Sequence, residues 1–134
     1  MKYDLVAPTS MGIQLSPQDR QPVGIGSQYT MHATSAESNV LNVSASLGLS
    51  TLVLTNFVRE SPIASFIKGE LRRRNIAYIG PEIPQGSPWG YRHQFNIADA
   101  GFGPRGPKVH NDRAGEAGRL LKADDFDLKR LFET

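Results

Sequence analysis

The apolar pattern of residues 35 to 79 reads helix, strand, helix, strand with short connections. Ser35 is placed to cap the first helix, and Glu37 falls in its first turn, where a negative charge suits the helix dipole. Val40, Val43 and Leu47 recur at helical spacing, and Gly48 followed by Leu49 marks the stop. The run TLVLTNFV (51–58) is β-branched and almost continuously apolar, which predicts a strand covered on both faces. Ser61 then caps a second helix with Pro62 at its first position, and Ile63, Phe66, Ile67 and Leu71 form its apolar stripe. Arg72, Arg73 and Arg74 complement the negative end of that helix. Asn75 ends it, and IAYIG (76–80) begins another strand. Such alternation predicts an α/β architecture, a mostly parallel sheet with flanking helices and right-handed crossovers. The runs YDLVAP and GIQLSP near the N-terminus add one or two strands.

In open sheets of this kind ligands bind beyond the carboxyl ends of the strands. The stretch ATSAESN (33–39) lies at such a place, between a strand over 28–33 and a helix over 40–47. Its short hydroxyl and amide side chains suit both capping and ligand binding.

The chain's thirteen glycines and nine prolines are unevenly spread and are densest in 80–107, which predicts turns and exposed ribbon there. Trp89, Tyr91, Phe95 and Ile97 alternate with polar residues, and GPKVHND (106–112) is a second extended piece beyond the turn GFGPRG. Together they predict a two-stranded ribbon over about 89–113 that protrudes like a flap. The tail DDFDLKRLF opens on a capping Asp and places Phe126, Leu128 and Leu131 or Phe132 on one short amphipathic helix. Residues 1–134 form one folded unit.

Cysteine is absent, so disulfides and thiolate metal sites are excluded. No apolar run reaches membrane-spanning length and no secretory signal is recognisable, so a soluble cytoplasmic protein is expected. The net charge of +2 is assigned mainly to the helix-end arginines, which makes a nucleic-acid partner the weaker reading. The three histidines, His32, His93 and His110, share no metal-ligand spacing and are expected on the surface or the flap. Gly101, Gly103 and Gly106 match a dinucleotide fingerprint, but Pro104 and Pro107 forbid the helix that fingerprint must open, so a hairpin turn is expected. In the flap Arg92, Arg105, Lys108 and Arg113 alternate with aromatics. Such a ribbon can stack bases, close over a small acidic ligand through paired Arg hydrogen bonds, or simply bury its rings.

The ordered series Leu15-Ser16-Pro17, TSAESNVLNVSASLGL (34–49), SPIASFIKGELRRRNI (61–76), GPRGPKVHNDRAGEAG (103–118) and DDFDLKRLF (124–132) resembles the N-terminal part of the ribokinase-like (PfkB) carbohydrate kinases. The 2-keto-3-deoxygluconate kinase branch is the most similar. The resemblance implies an incomplete ribokinase-like sheet with a β lid. Asn39 then corresponds to the Asn that hydrogen-bonds sugar hydroxyls, and Thr34 and Ser35 occupy the Gly-Gly positions that approach the sugar. Arg113 resembles the lid Arg that pairs with the carboxylate of a keto-deoxy sugar acid, and Tyr91 a lid Tyr that touches ligand. Ser10, Arg105 and Asn111 complete the implied substrate-binding set.

The departures are informative. Thr9-Ser10 stands where the family has Gly-Glu or Gly-Asp, so the acidic group that grips sugar hydroxyls is missing from the first strand. Thr34-Ser35 adds two β-carbons, Asn111 replaces a usual Tyr, Ala64 replaces a Gly, and the run Tyr91–Arg113 is longer. These are small polar replacements, as in a retuned pocket. ATP and Mg2+ are implied for the family, but its anion-hole glycines, catalytic Asp and ATP site have no counterpart here. The expectation is therefore an acceptor-sugar site and lid, not a complete kinase, with a small-molecule sugar or sugar acid as ligand. Self-association through the lid or an open sheet edge is expected. A non-catalytic binding module derived from such a kinase is the alternative.

Overall fold

The structure is a computed structural model and describes residues 2–133. The first half contains β1 (Leu5–Pro8), β2 (Gly12–Pro17), β3 (Tyr29–Thr34), α1 (Ala36–Ser46), β4 (Thr51–Leu54) and β5 (Phe57–Val58). The second half adds α2 (Pro62–Arg73), β6 (Ala77–Ile79), β7 (Glu82–Ile83), β8 (Gln94–Asp99), β9 (Lys108–Asp112) and α3 (Leu128–Phe132). Strands β1, β4 and β6 make a parallel sheet in that spatial order, and β5 pairs in parallel with β7. The remaining strands form a second, mixed sheet in the order β3-β2-β8-β9.

The helix–strand alternation therefore produces the expected parallel layer, but the ribbon is wider than two strands. Strands β8 and β9 pair antiparallel, from Phe95 opposite Asp112 to Asp99 opposite Lys108. Strand β2 joins them alongside β8, and β3 pairs antiparallel with β2. Of the N-terminal runs only YDLVAP enters the parallel sheet. ATSAESN thus follows a ribbon strand, not a strand of the parallel layer. The physical reason is Thr9–Met11, where the chain leaves β1 and turns its apolar side chains, Met11 and Ile13, onto a core shared by both sheets.

Local signals place the helix starts. Ser35 accepts from the Ser38 N–H at 3.0 Å, and the Ser38 hydroxyl reciprocates at the Ser35 N–H, also at 3.0 Å. Ser61 accepts from the N–H groups of Ile63 and Ala64, with Pro62 in the first turn. Asn75 adopts φ +58°, the left-handed geometry that ends α2. The arginines at that end do more than face the dipole. Arg73 and Arg74 hold the buried Glu70 carboxylate at 2.8 and 3.2 Å, and Arg74 also donates to the Ala33 carbonyl of β3. This links α2 to the ribbon.

Helix α1 corrects the periodicity reading. Val40, Val43 and Leu47 are 60%, 60% and 76% exposed, while Ser38, Leu41 and Ala45 face the core. Both rows have helical spacing. Packing of α1 on β1 and β4 takes the second row inward, where Ser38 is satisfied by its reciprocal cap with Ser35. The apolar run 51–58 is buried throughout, yet Thr55 and Asn56 break it into β4 and β5. Gly80 permits this break, since a side chain there would overlap the Thr55 carbonyl oxygen. The C-terminal helix is shorter than expected and is capped by Asp127, leaving Phe126 ahead of it.

His93 was expected on the surface or flap and is instead buried at the root of the ribbon. Its Nε2 accepts the Val58 N–H at 3.2 Å, so the ring proton sits on Nδ1 and is donated to the Met11 carbonyl at 3.1 Å. Only the first bond requires the neutral ring, since the Nδ1–H donates to Met11 in either charge state. Burial lowers the His93 pKa from its ordinary value of 6.5, outweighing the Met11 contact, which favours the cation. The unfolded chain then binds the extra proton more readily. His93's contribution is fully present above about pH 6.5 and is lost as the pH falls through the lower, folded pKa. Unfolding free energies from urea titrations between pH 7.5 and 5 should decline by at most about 1.4 kcal/mol per pH unit from this one proton. H93Q should be less stable at pH 7.5 and should lack that slope.

Candidate functional site

Two polar pairs stand at the carboxyl ends of adjacent parallel strands: Thr9-Ser10 after β1 and Thr55-Asn56 after β4. Thr9, Thr55 and Asn56 are buried. The Thr9 hydroxyl donates to Glu37 at 2.7 Å, tying the strand end to the first turn of α1. The Ser10 hydroxyl donates to Glu116 at 3.1 Å. Glu116 is held by Arg113 through Nε at 3.1 Å to one carboxylate oxygen and Nη2 at 3.1 Å to the other. Asn56 donates to the Ala117 carbonyl at 2.8 Å, and Gln94 donates to the Ser10 carbonyl at 2.9 Å. Thr9 and Ser10, adjacent in the chain, thus bond carboxylates from two remote segments, Glu37 and Glu116, at a position where open α/β sheets bind ligands.

The loop carrying Arg113 and Glu116 is fixed by backbone pairing. The Arg92 N–H donates to Gly115 at 2.9 Å, and the Ala117 N–H donates to Arg92 at 2.7 Å. Arg92 itself is engaged by Asp112 and the Ala114 carbonyl, and its guanidinium holds the Asp112 carboxyl below its usual range. Gly118 packs directly on Ser10: a Cβ there would lie 2.0 Å from the Ser10 hydroxyl oxygen and 2.2 Å from its Cβ.

The hydroxyls, amide, carboxylates and guanidinium of this group are suited to hydrogen-bonding a polyhydroxyl ligand. The Gly101–Gly106 turn is closed by mutual Phe102 and Arg105 backbone bonds of 2.9 and 3.0 Å and joins two strands, so it presents no helix N-terminus to phosphate.

Comparison with solved structures identifies the fold. The chain is similar to the 2-dehydro-3-deoxygluconokinase of Thermotoga maritima, with 25% identity, a TM-score of 0.83, and coverage of 98% of this chain and 38% of that one. A PfkB family carbohydrate kinase from Listeria grayi matches at 23% identity and TM-score 0.81, over 96% of this chain and 38% of that one. A sugar kinase from Pyrococcus horikoshii in complex with ATP matches at 13% identity and TM-score 0.76, over 93% and 39%. Its structural neighbours are PfkB-family carbohydrate kinases. The chain folds as part of a ribokinase-like domain and spans about two-fifths of the length of the kinases it matches. No protein-family model matches it, and no curated protein matches its sequence.

Set on this kinase fold, the residues singled out in the sequence divide into groups. Ser10 and Arg113 meet through Glu116. Thr34 ends β3 opposite Gly12, two residues from Ser10. Ser35 is buried and its hydroxyl is committed to the α1 cap. Asn39 is exposed in the first turn of α1, two positions from Glu37 and so on a different face of the helix. Tyr91 is 37% exposed, and its backbone N–H donates to the Gln85 carbonyl at 3.0 Å. Asn111 is exposed on β9 opposite Asn96.

Arg105 is not brought to the group. It donates to the buried Asp99 at 2.8 Å and to the Arg20 carbonyl at the far end of β8, about 17 Å along the strand from Gln94. Burial works against the Asp99 charge, but bonds from Arg105 and Gly101 outweigh it and hold the carboxyl below its usual range. Arg105 is thus absorbed by the ribbon turn.

Three residues of the group escaped the sequence reading in this role. Asn56 had a signal, a polar residue interrupting an apolar strand. Glu116 follows Arg113 at a spacing of three. Glu37 read only as a dipole partner. G118A should displace Ser10 and cost about 1–3 kcal/mol by overpacking. Adding S10G should recover most of this in thermal or urea unfolding, whereas adding S10A, which retains the colliding Cβ, should not.

Proposed function

We propose that this chain forms the acceptor-sugar site and lid of an ATP-dependent carbohydrate kinase of the ribokinase-like type. The observation that carries the reading is the Ser10–Glu116–Arg113 contact, which joins the end of β1 to the ribbon loop, with Thr9–Glu37 joining the same strand end to α1. In this reading the missing first-strand carboxylate is replaced in space by Glu37 and Glu116, presented beside Thr9 and Ser10. Thr34, Asn39 and Tyr91 extend the hydrogen-bonding surface, and the four-stranded ribbon covers the acceptor and excludes water.

The chain's own share of the chemistry is positioning. Multiple hydrogen bonds to sugar hydroxyls fix one hydroxyl relative to the ribbon, and such orientation supplies much of the rate in phosphoryl transfer. A polyphosphate cradle, a cation and a base aligned with the acceptor are also required, and the residues described here do not assemble them. They would belong to the part of a kinase domain that this chain does not match.

The test is a titration of the 15N-labelled chain with neutral polyols and sugar acids. Amide shifts should centre on Ser10, Thr34, Asn39, Tyr91 and Arg113. N39A should weaken binding about three- to tenfold, the worth of one hydrogen bond. Shifts centred on the apolar groove beneath α3, lined by Val6, Leu54 and Phe132, would refute the assignment, as would none at all.

A further inference from the structure

Arg113 is the cation that a sugar-acid kinase would aim at its substrate's carboxylate, yet here it already holds one. Its Nε and Nη2 face both Glu116 oxygens at 3.1–3.2 Å, the fork geometry of a guanidinium–carboxylate pair. The carboxylate is the fixed member: the Glu116 side chain is 10% exposed against 58% for Arg113. Glu116 is further tied by the Ser10 hydroxyl, and its backbone bridges Arg92. Rotating it away would leave a buried charge without its counter-ion.

The surroundings add negative rather than positive charge. Glu37 lies on the neighbouring Thr9 hydroxyl, and the nearby Arg92 is neutralised by Asp112. The Arg113–Glu116 pair is neutral as a whole, and Glu37, on the adjacent Thr9, is a further carboxylate at the same strand end. A ligand carboxylate placed against Arg113 would meet Glu116 as a like-charged neighbour. The hydroxyls of a neutral polyol would instead find carboxylate acceptors.

We infer that Glu116 sets the charge of the acceptor, so that the site takes a neutral polyol or sugar and rejects a sugar acid. This rests on the acceptor-site reading above. It also reverses the expectation that Arg113 recognises a substrate carboxylate.

The experiment compares D-glucitol and D-gluconate, which share hydroxyl patterning and differ in charge, as ligands of the 134-residue chain, by calorimetry and 15N shifts. The wild-type chain should bind glucitol at least tenfold more tightly than gluconate, and raising the salt concentration should narrow the gap. E116Q removes the charge at nearly constant shape and should gain gluconate affinity about tenfold or more, a gain that R113Q in the same chain cancels. Gluconate bound by wild type as well as glucitol overturns the inference while leaving the acceptor site standing, and this outcome needs no folded variant. A ligand ratio unchanged in a folded E116Q chain overturns it likewise. If neither ligand binds any variant, the inference and the acceptor-site reading fall together.

Discussion

A buried polar seam joins the ribbon to the parallel sheet, and the rest of the arrangement depends on it. His93 bridges Val58 and Met11, Asn56 reaches the Ala117 carbonyl, and Gln94 reaches the carbonyl of Ser10. Each bond connects residues far apart in sequence and satisfies a backbone group that burial would otherwise leave unpaired, a loss of about 1–3 kcal/mol each. The apolar core crosses the same boundary, with Met11, Ile13 and Ala33 packed among Phe57, Ile67 and Leu71. Apolar contact alone would tolerate sliding; the directional bonds of the seam set where the loop 113–118 meets the end of β1.

That placement gives the site its chemistry. Ser10 and Thr9 are unremarkable in a strand-end sequence, but each hydroxyl is bonded to a carboxylate from another element. Gly118 leaves the space in which Ser10 sits. The cations of the ribbon are then largely spoken for: Arg92 by Asp112, Arg105 by Asp99 and Arg113 by Glu116. A run that reads as basic in sequence becomes a set of paired charges in the fold, which also argues against a ribbon that tracks a nucleic-acid backbone.

Several elements were legible in advance because local chemistry dictates them. Ser35, Ser61 and Pro62 start helices wherever those helices pack, and Asn75, Gly101 and Gly103 adopt conformations few residues tolerate. The readings that needed revision all involved a choice between locally equivalent options. Two rows of α1 have helical spacing, and only packing on β1 and β4 decides that Leu41 and Ala45 go inward. GIQLSP is an acceptable strand for either sheet, and His93 carries no local mark of burial.

The sequence by itself determined the α/β class, the starts of α1 and α2 and the hairpin turn, because caps, turn glycines and apolar periods act over a few residues; the likeness to a ribokinase-like kinase rested on the ordered series of its motifs. Only the tertiary structure decided which strands form the ribbon and that Arg105 serves a turn. It also decided that Glu37 and Glu116 stand beside Thr9 and Ser10. The reason is range: a hydrogen bond between residues 10 and 116 depends on where the chain returns after two helices and two sheets, and no local signal carries that distance.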